Sequence, residues 1–241
     1  MNNNLNNLKV HTWKEIIDDV PKPFNNYVFI SMTESGKTEA IRELCYWLVR
    51  KKNHHNIILF SKTGFRKLND DYAFIRDCPN AKVFDGSKKE IEASIELIQK
   101  TCKELKEKYG DEYGLIVIFD DIEITASMPL ATELFYLGRH YNINLIVAAQ
   151  NASYFLSPTV RTNIKYLCFR KVEPVYNKRL FQMCRTGMKF NDFVNFIDQN
   201  TDNYKFILYD NTSQSNNNAD RIKLVKARRI KNMKIELQHH K

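Results

Sequence analysis

A short apolar run, Tyr27-Val28-Phe29-Ile30, breaks at once into Ser31-Met32-Thr33-Glu34-Ser35-Gly36-Lys37-Thr38, and a helix-forming stretch from Glu39 to Val49 follows directly. Strand, polar loop and helix in that order constrain the fold more than any other feature of the chain, because they are the context of a phosphate-binding loop. The backbone N–H groups of such a loop point inward, and the N-terminus of the next helix adds the positive end of its dipole. In this reading Ser31, Met32, Thr33, Glu34, Ser35 and Gly36 wrap the phosphates. Lys37 reaches the β- and γ-phosphates, and the Thr38 hydroxyl ligates Mg²⁺. The usual pattern opens with glycine where this chain has Ser31. Glycine turns tightly without a Cβ; serine is a small substitute, so a slightly altered loop is expected. The plainer alternative is a strand, a Ser/Gly turn and a helix cap.

A phosphate-binding loop needs an acid at the end of a neighbouring strand. Leu115-Ile116-Val117-Ile118-Phe119 ends in Asp120-Asp121. Asp120 is the natural magnesium-side acid, and Asp121 is placed to act as general base on the attacking water. Glu123 is a fallback base, further from the strand end. The alternative for an aspartate here is a helix cap or turn former. Strands near 56–61 and 81–84 fit between Thr38 and Asp120, so a strand is expected between the loop strand and the acidic strand. ATPases that place a base beside the metal-side acid have that arrangement. A GTPase is disfavoured: Asp121-Ile122-Glu123 is not D-x-x-G, and Asn177-Lys178-Arg179-Leu180 has leucine where a guanine-binding aspartate would stand. The strand Asn144 to Ala149 ends at Gln150, whose amide is placed to contact the γ-phosphate or the attacking water; a hydrogen-bonded turn residue is the simpler reading.

Strands are expected near 27–31, 56–61, 81–84, 114–119, 144–149, 165–170, 204–210 and 221–230. Helices are expected near 37–50, 87–108, 128–140, 177–186 and 190–198. Continuous apolar strands read as buried on both faces, and their alternation with helices argues for parallel crossovers. With 241 residues and 43 % hydrophobic content the chain can bury a sizeable core. The segments 204–210 and 221–230 read as an antiparallel pair. The division expected is an N-terminal extension (1–24), a P-loop core (25–200), and a C-terminal β pair with a basic tail (201–241). The five cysteines are scattered without a C-x-x-C pair, which disfavours a zinc site or disulfide framework. No apolar run approaches the ~20 residues that cross a bilayer, and the start lacks the features of a signal peptide. A soluble intracellular protein without a membrane partner is expected. The net charge of +9 points to a polyanionic partner or a basic tail.

Several segments in this order carry a resemblance: Ser31–Thr38, Phe119-Asp120-Asp121, Leu137-Gly138-Arg139-His140-Tyr141, Ala148-Ala149-Gln150-Asn151, and Ser157-Pro158-Thr159-Val160-Arg161-Thr162-Asn163. Together they resemble the poxvirus-type genome-packaging ATPases of large DNA viruses and virophages, within the FtsK–HerA superfamily. The departures are Ser31 for glycine, and Asp121 where many relatives of the wider superfamily have glutamate. The resemblance implies an α/β P-loop NTPase with a RecA-like, mostly parallel sheet flanked by helices. It also implies an ATP- and Mg²⁺-dependent translocase that moves double-stranded DNA, without regard to sequence, into a preformed capsid. Its partners would be capsid portal or vertex proteins and further copies of the chain in a five- or six-membered ring. Its place would be the host-cell cytoplasm at the viral factory, with the virion as a second location. In such a ring Arg161 or Arg139 is the candidate finger for a neighbour's γ-phosphate, Arg161 preferred. Lys62, Arg66, Lys67, Lys223, Lys226, Arg228 and Arg229 are candidates for DNA phosphates. The alternatives are another DNA-translocating or helicase-like ATPase, or a nucleotide-binding scaffold without turnover.

Overall fold

The computed structural model describes residues 8–20, 24–52, 54–65, 72–76, 78, 81–110, 114–125, 127–154, 158–215 and 217–228. Among the described residues nine strands form one sheet: β1 (Val10–His11), β2 (Asn26–Ile30), β3 (His54–Phe60), β4 (Ala81–Phe84), β5 (Gly114–Asp120), β6 (Ile143–Ala149), β7 (Tyr166–Phe169), β8 (Lys205–Asp210) and β9 (Ile222–Lys226). Their spatial order is β1-β9-β8-β7-β2-β6-β5-β3-β4. From β4 to β7 all neighbours are parallel; β8 runs antiparallel to β7 and to β9, and β1 is parallel to β9. The mostly parallel α/β architecture expected from the sequence is therefore present, and its antiparallel C-terminal pair continues the same sheet. A strand does separate the loop strand β2 from the acidic strand β5. It is β6, the glutamine strand, while β3 lies on the far side of β5.

The helices are α1 (Trp13–Asp19), α2 (Lys37–Lys52), α3 (Lys62–Phe65), α4 (Ala73–Arg76), α5 (Lys88–Tyr109), α6 (Pro129–Leu137), α7 (Pro158–Asn163), α8 (Pro174–Met183), α9 (Phe190–Asn200) and α10 (Asn218–Arg221). They cover both faces of the sheet. Alternate residues of each central strand serve the two layers, although β2 and β6 are buried along their whole length. Tyr27, Phe29, Ile116, Ile118 and Ile146 pack with Trp13, Ile16 and Ile17 of α1 and with Ile41, Leu44 and Leu48 of α2. Val28, Ile30, Val117, Phe119 and Val147 pack with Ile91 and Ile95 of α5, Leu134 of α6, Leu180 of α8 and Phe193 of α9.

The sequence reading assigns no element before residue 27, yet β1 pairs with β9 and α1 packs against α2. Thr12 caps α1: its side chain accepts from the Glu15 backbone N–H, and the Glu15 carboxylate accepts from the Thr12 N–H at 2.7 Å. The apolar residues Trp13, Ile16 and Ile17 then fall on one face and are buried. The long helix expected at 128–140 ends at Leu137, where Gly138–Tyr141 tighten into a 3₁₀ turn closed by Asn142 in a left-handed conformation. All five cysteines are buried and free. Among the described residues no helix is long and apolar enough to cross a membrane.

Candidate functional site

The loop between β2 and α2 opens as a continuation of sheet pairing, with the Ser31 N–H donating to Ala149 O at 3.2 Å. Ser31 is fully buried, and its hydroxyl lies 2.6 Å from that of Ser35, tying the two ends of the loop together. Its φ is not positive, so the backbone at this position accepts a Cβ and needs no glycine. The left-handed positions are Glu34 (φ 55°) and Gly36 (φ 86°). Gly36 has a second constraint, since a Cβ there would lie 3.1 Å from Tyr204 Cδ1. The Ala40 N–H donates to Gly36 O, and Lys37 and Thr38 form the first turn of α2.

The Lys37 ammonium turns back into the loop and donates to Ser31 O at 2.6 Å and Met32 O at 3.0 Å. Burial lowers its pKa, and the charges of Asp121 and Asp120 act in the opposite sense. Lys37 therefore lies within electrostatic reach of both carboxylates. Asp120 ends β5 and accepts from Ser61 Oγ at 3.0 Å, with Tyr72 beside it. Burial, and then the adjacent Asp121, push its pKa up to about 6, against the pull of Ser61, Tyr72 and Lys37.

Asp121 is exposed and left-handed (φ 51°), with its N–H donating to Ala148 O at 2.9 Å. That backbone turn swings its carboxylate toward β6, where Gln150 Nε2 donates to it at 2.9 Å. The left-handed state costs a non-glycine residue about 1 kcal/mol. Asp121 and Gln150, predicted separately as base and phosphate contact, are direct partners. Glu123, the fallback base, is exposed.

Sequence reasoning missed four further residues of this region. Ser61 donates to Asp120, and Tyr72 stands beside it. Arg170 donates through Nη1 to Ser35 O, and through Nη2 and Nε to Thr201 O at 2.8 and 3.3 Å. Its guanidinium lies over the Tyr204 ring, 5.4 Å from the centroid. A signal for Ser61 and Arg170 existed. Each directly follows a parallel strand, and such strand ends gather at ligand sites in α/β sheets.

The arginine candidates lie elsewhere. Arg161 lies in the last turn of α7 and Arg139 in the turn before β6, both beside the first residues of the parallel strands. Asn26, the first residue of β2, marks that edge: its side chain donates to Asn163 O and Phe135 O, each at 2.9 Å, and accepts from the Lys165 N–H. The loop lies past the opposite end of β2, so neither arginine meets the loop of its own chain. Arg161 lines a cavity of about 430 Å³ with Arg185 and Arg221. Arg139 lines a second one with Tyr136 and Thr162.

Of the basic candidates, Lys62 and Lys226 are exposed, Lys223 pairs with Asp19 at 3.1 Å, and the Arg228 N–H donates to Glu43 at 2.7 Å. Arg66, Lys67 and Arg229 lie outside the described residues.

Among solved structures, the genome packaging NTPase B204 from Sulfolobus turreted icosahedral virus 2, in complex with AMPPCP, matches at a TM-score of 0.56 and 19 % identity, covering 84 % of this chain and 97 % of that one. B204 from Sulfolobus turreted icosahedral virus, described as a DNA-packaging ATPase, matches at 0.57 and 19 % over 85 % and 98 % of the two chains. The pCW3 conjugation coupling protein TcpA with ATPγS matches at 0.56 and 11 % over 85 % and 60 %. At these identities the likeness is one of fold. No curated protein sequence matches the chain. The family model described as Poxvirus A32 protein matches residues 18–236. That match runs through both strand-end carboxylates and the loop to the far side of the sheet, and the chain belongs to the poxvirus A32 protein family.

Proposed function

We propose that this chain hydrolyses ATP and uses the cycle to drive double-stranded DNA into a capsid. The observation that carries the reading is the convergence of Lys37, Asp120, Asp121 and Gln150 at the ends of the adjacent strands β2, β6 and β5. The donor set fits a triphosphate with a divalent cation. A half-buried ammonium rests on carbonyl oxygens, within electrostatic reach of two adjacent carboxylates, one of them forced toward protonation. Among the described residues no group of three acidic, histidine or cysteine side chains could hold a metal alone. Mg²⁺ is ordinarily bound through one or two carboxylates together with substrate phosphates and water.

Thr38 and Asp120 would hold the ion, which would neutralise charge building on the β- and γ-phosphate oxygens. Lys37 exchanges its carbonyl contacts for phosphate oxygens. Asp121 accepts the proton of the attacking water, and the Gln150 amide holds that carboxylate in place until the phosphate competes for it. The loop N–H groups from Met32 to Thr38 and the start of α2 orient the phosphates.

Family membership and the net charge of +9 support the DNA half of the reading. Several copies form a ring in which Arg161, or Arg139, serves a neighbour's site; their position away from their own loop supports this reading. Lys62, Lys226 and the basic tail contact DNA phosphates, and capsid vertex or portal proteins dock the ring in the host-cell cytoplasm. Residues 25–200 hold the hydrolytic core, β8 and β9 of the C-terminal segment continue its sheet, and β1 and α1 of the N-terminal segment pack onto the same body. The test is phosphate release by the gel-filtered protein with Mg²⁺, with and without double-stranded DNA. Stimulated release that Lys37→Ala removes supports the reading; nucleotide binding without release favours a scaffold.

A further inference from the structure

Between α9 and β8 the chain makes a turn at Asp202-Asn203-Tyr204-Lys205, closed by the Lys205 N–H donating to Asp202 O at 3.3 Å. Both central residues are left-handed, Asn203 at φ 54° and Tyr204 at φ 59°. That is the type I′ pattern, in which asparagine suits the first central position and glycine the second. Tyrosine at the second position opposes the local preference by about 1 kcal/mol. Core packing does not explain it either, because Tyr204 is 58 % exposed.

The ring is nonetheless firmly placed. Its Cδ1 sits 3.1 Å from where a Gly36 Cβ would be, so it lies directly against the phosphate-binding loop. The Arg170 guanidinium, anchored on Ser35 O and Thr201 O, lies over the ring. A cation on an aromatic ring, itself fixed to the loop, orients that ring while much of its surface stays in solvent.

The sheet order supplies the direction. Asp120, Asp121 and Gln150 lie on the β6–β5 side of β2, and Arg170 and Tyr204 lie on its β7–β8 side. A triphosphate whose γ-end meets the carboxylates has its nucleoside end on the other side of the loop, past Gly36. We propose that Tyr204 is the platform on which the base of the bound nucleotide stacks, with Arg170 as its support; this rests on the nucleotide reading above. Stacking uses the π-face and ignores the ring edge, so adenine and guanine nucleotides gain alike.

The test is equilibrium binding of a non-hydrolysable ATP analogue, its GTP counterpart and inorganic tripolyphosphate, each with Mg²⁺, to the full chain. The variants are Tyr204→Ala, Tyr204→Phe and Tyr204→Gly. The first and third are expected to weaken both nucleotides about tenfold, a typical effect of losing one stacked base, and to leave tripolyphosphate unchanged. Tyr204→Phe keeps nucleotide affinity. Tyr204→Gly relieves the turn, so its thermal stability is expected to hold or rise while nucleotide affinity falls. An equal loss for nucleotides and tripolyphosphate would show that the ring merely props the loop and would overturn the proposal. Unchanged nucleotide affinity in Tyr204→Gly would overturn it as well. Wild-type protein that binds tripolyphosphate but gains nothing from a base defeats the platform alone; protein that binds neither defeats the nucleotide reading beneath it.

Discussion

The Gln150 amide donates to the Asp121 carboxylate at 2.9 Å, joining the tips of β6 and β5 beside the loop lysine. If Asp121 is the base, as proposed above, it gives up this partner when a γ-phosphate draws the amide. Asp121→Asn is expected to bind nucleotide as the wild type does and to lose at least about 100-fold in phosphate release, the usual worth of a general base. Gln150→Ala leaves the base in place but unaligned, and a smaller loss, about tenfold, is expected. Paired binding and steady-state release measurements check both; normal hydrolysis by Asp121→Asn would remove Asp121 as the base.

The Asp120 carboxyl titrates at about 6 in the folded chain, because of burial and then Asp121, against 3.8 for an ordinary aspartate. Between those values the folded state holds more protons than the unfolded one, so this group lowers stability as pH rises through that window. At pH 7 the cost is fully present, on the order of 1–2 kcal/mol after discounting for nearby solvent. Asp120→Asn should therefore raise the melting temperature of the nucleotide-free protein at pH 7, and the gain should vanish toward pH 4. Thermal melts across that range check it, and a destabilised Asp120→Asn at pH 7 would contradict the assignment. The same substitution is expected to abolish Mg²⁺-dependent turnover.

Trp13 is fully buried and its ring lies 5.5 Å from that of Phe29, the fourth residue of β2. Trp13→Ala should cost about 3–5 kcal/mol, as truncation of a large core aromatic does. Thr12→Ala, which removes the cap of α1, should cost about 1 kcal/mol. Chemical denaturation measures both, and a Trp13→Ala chain as stable as wild type would show that the segment packs only loosely.

The buried framework was legible because its signals are local. Apolar strands such as Leu115–Phe119, and the Ser31–Thr38 loop, declare themselves over a few residues, and their order points to one edge of a parallel sheet. What stayed hidden depends on long-range geometry. Nothing local says that Ser61 and Tyr72 converge on Asp120, or that Arg170 spans from Ser35 to Thr201. The identity of the inserted strand follows from sheet order, which no single segment encodes. Helix α1 is the exception, since the Thr12/Glu15 box and the spacing of Trp13, Ile16 and Ile17 were readable in a stretch taken as an extension.

Arg161 stands beside Arg185 and Arg221 at the sheet edge remote from its own loop. If it acts across a ring, Arg161→Ala should bind nucleotide normally and lose at least about 1000-fold in release. Mixing Arg161→Ala with Asp121→Asn should restore part of the activity, because some interfaces then hold an intact arginine and an intact aspartate. Release assays over a range of mixing ratios check it, and no recovery at any ratio would place both residues in one subunit's chemistry or remove Arg161 from it.

The most direct measurement is phosphate release by the full chain with Mg²⁺ and ATP, on wild type, Lys37→Ala and Asp121→Asn side by side, with and without double-stranded DNA. Turnover that DNA stimulates in the wild type, and that both substitutions abolish, is the expected result. Wild-type protein that releases no phosphate under any of these conditions, or variants that release it as fast as wild type, would contradict the claim that these side chains close around one triphosphate.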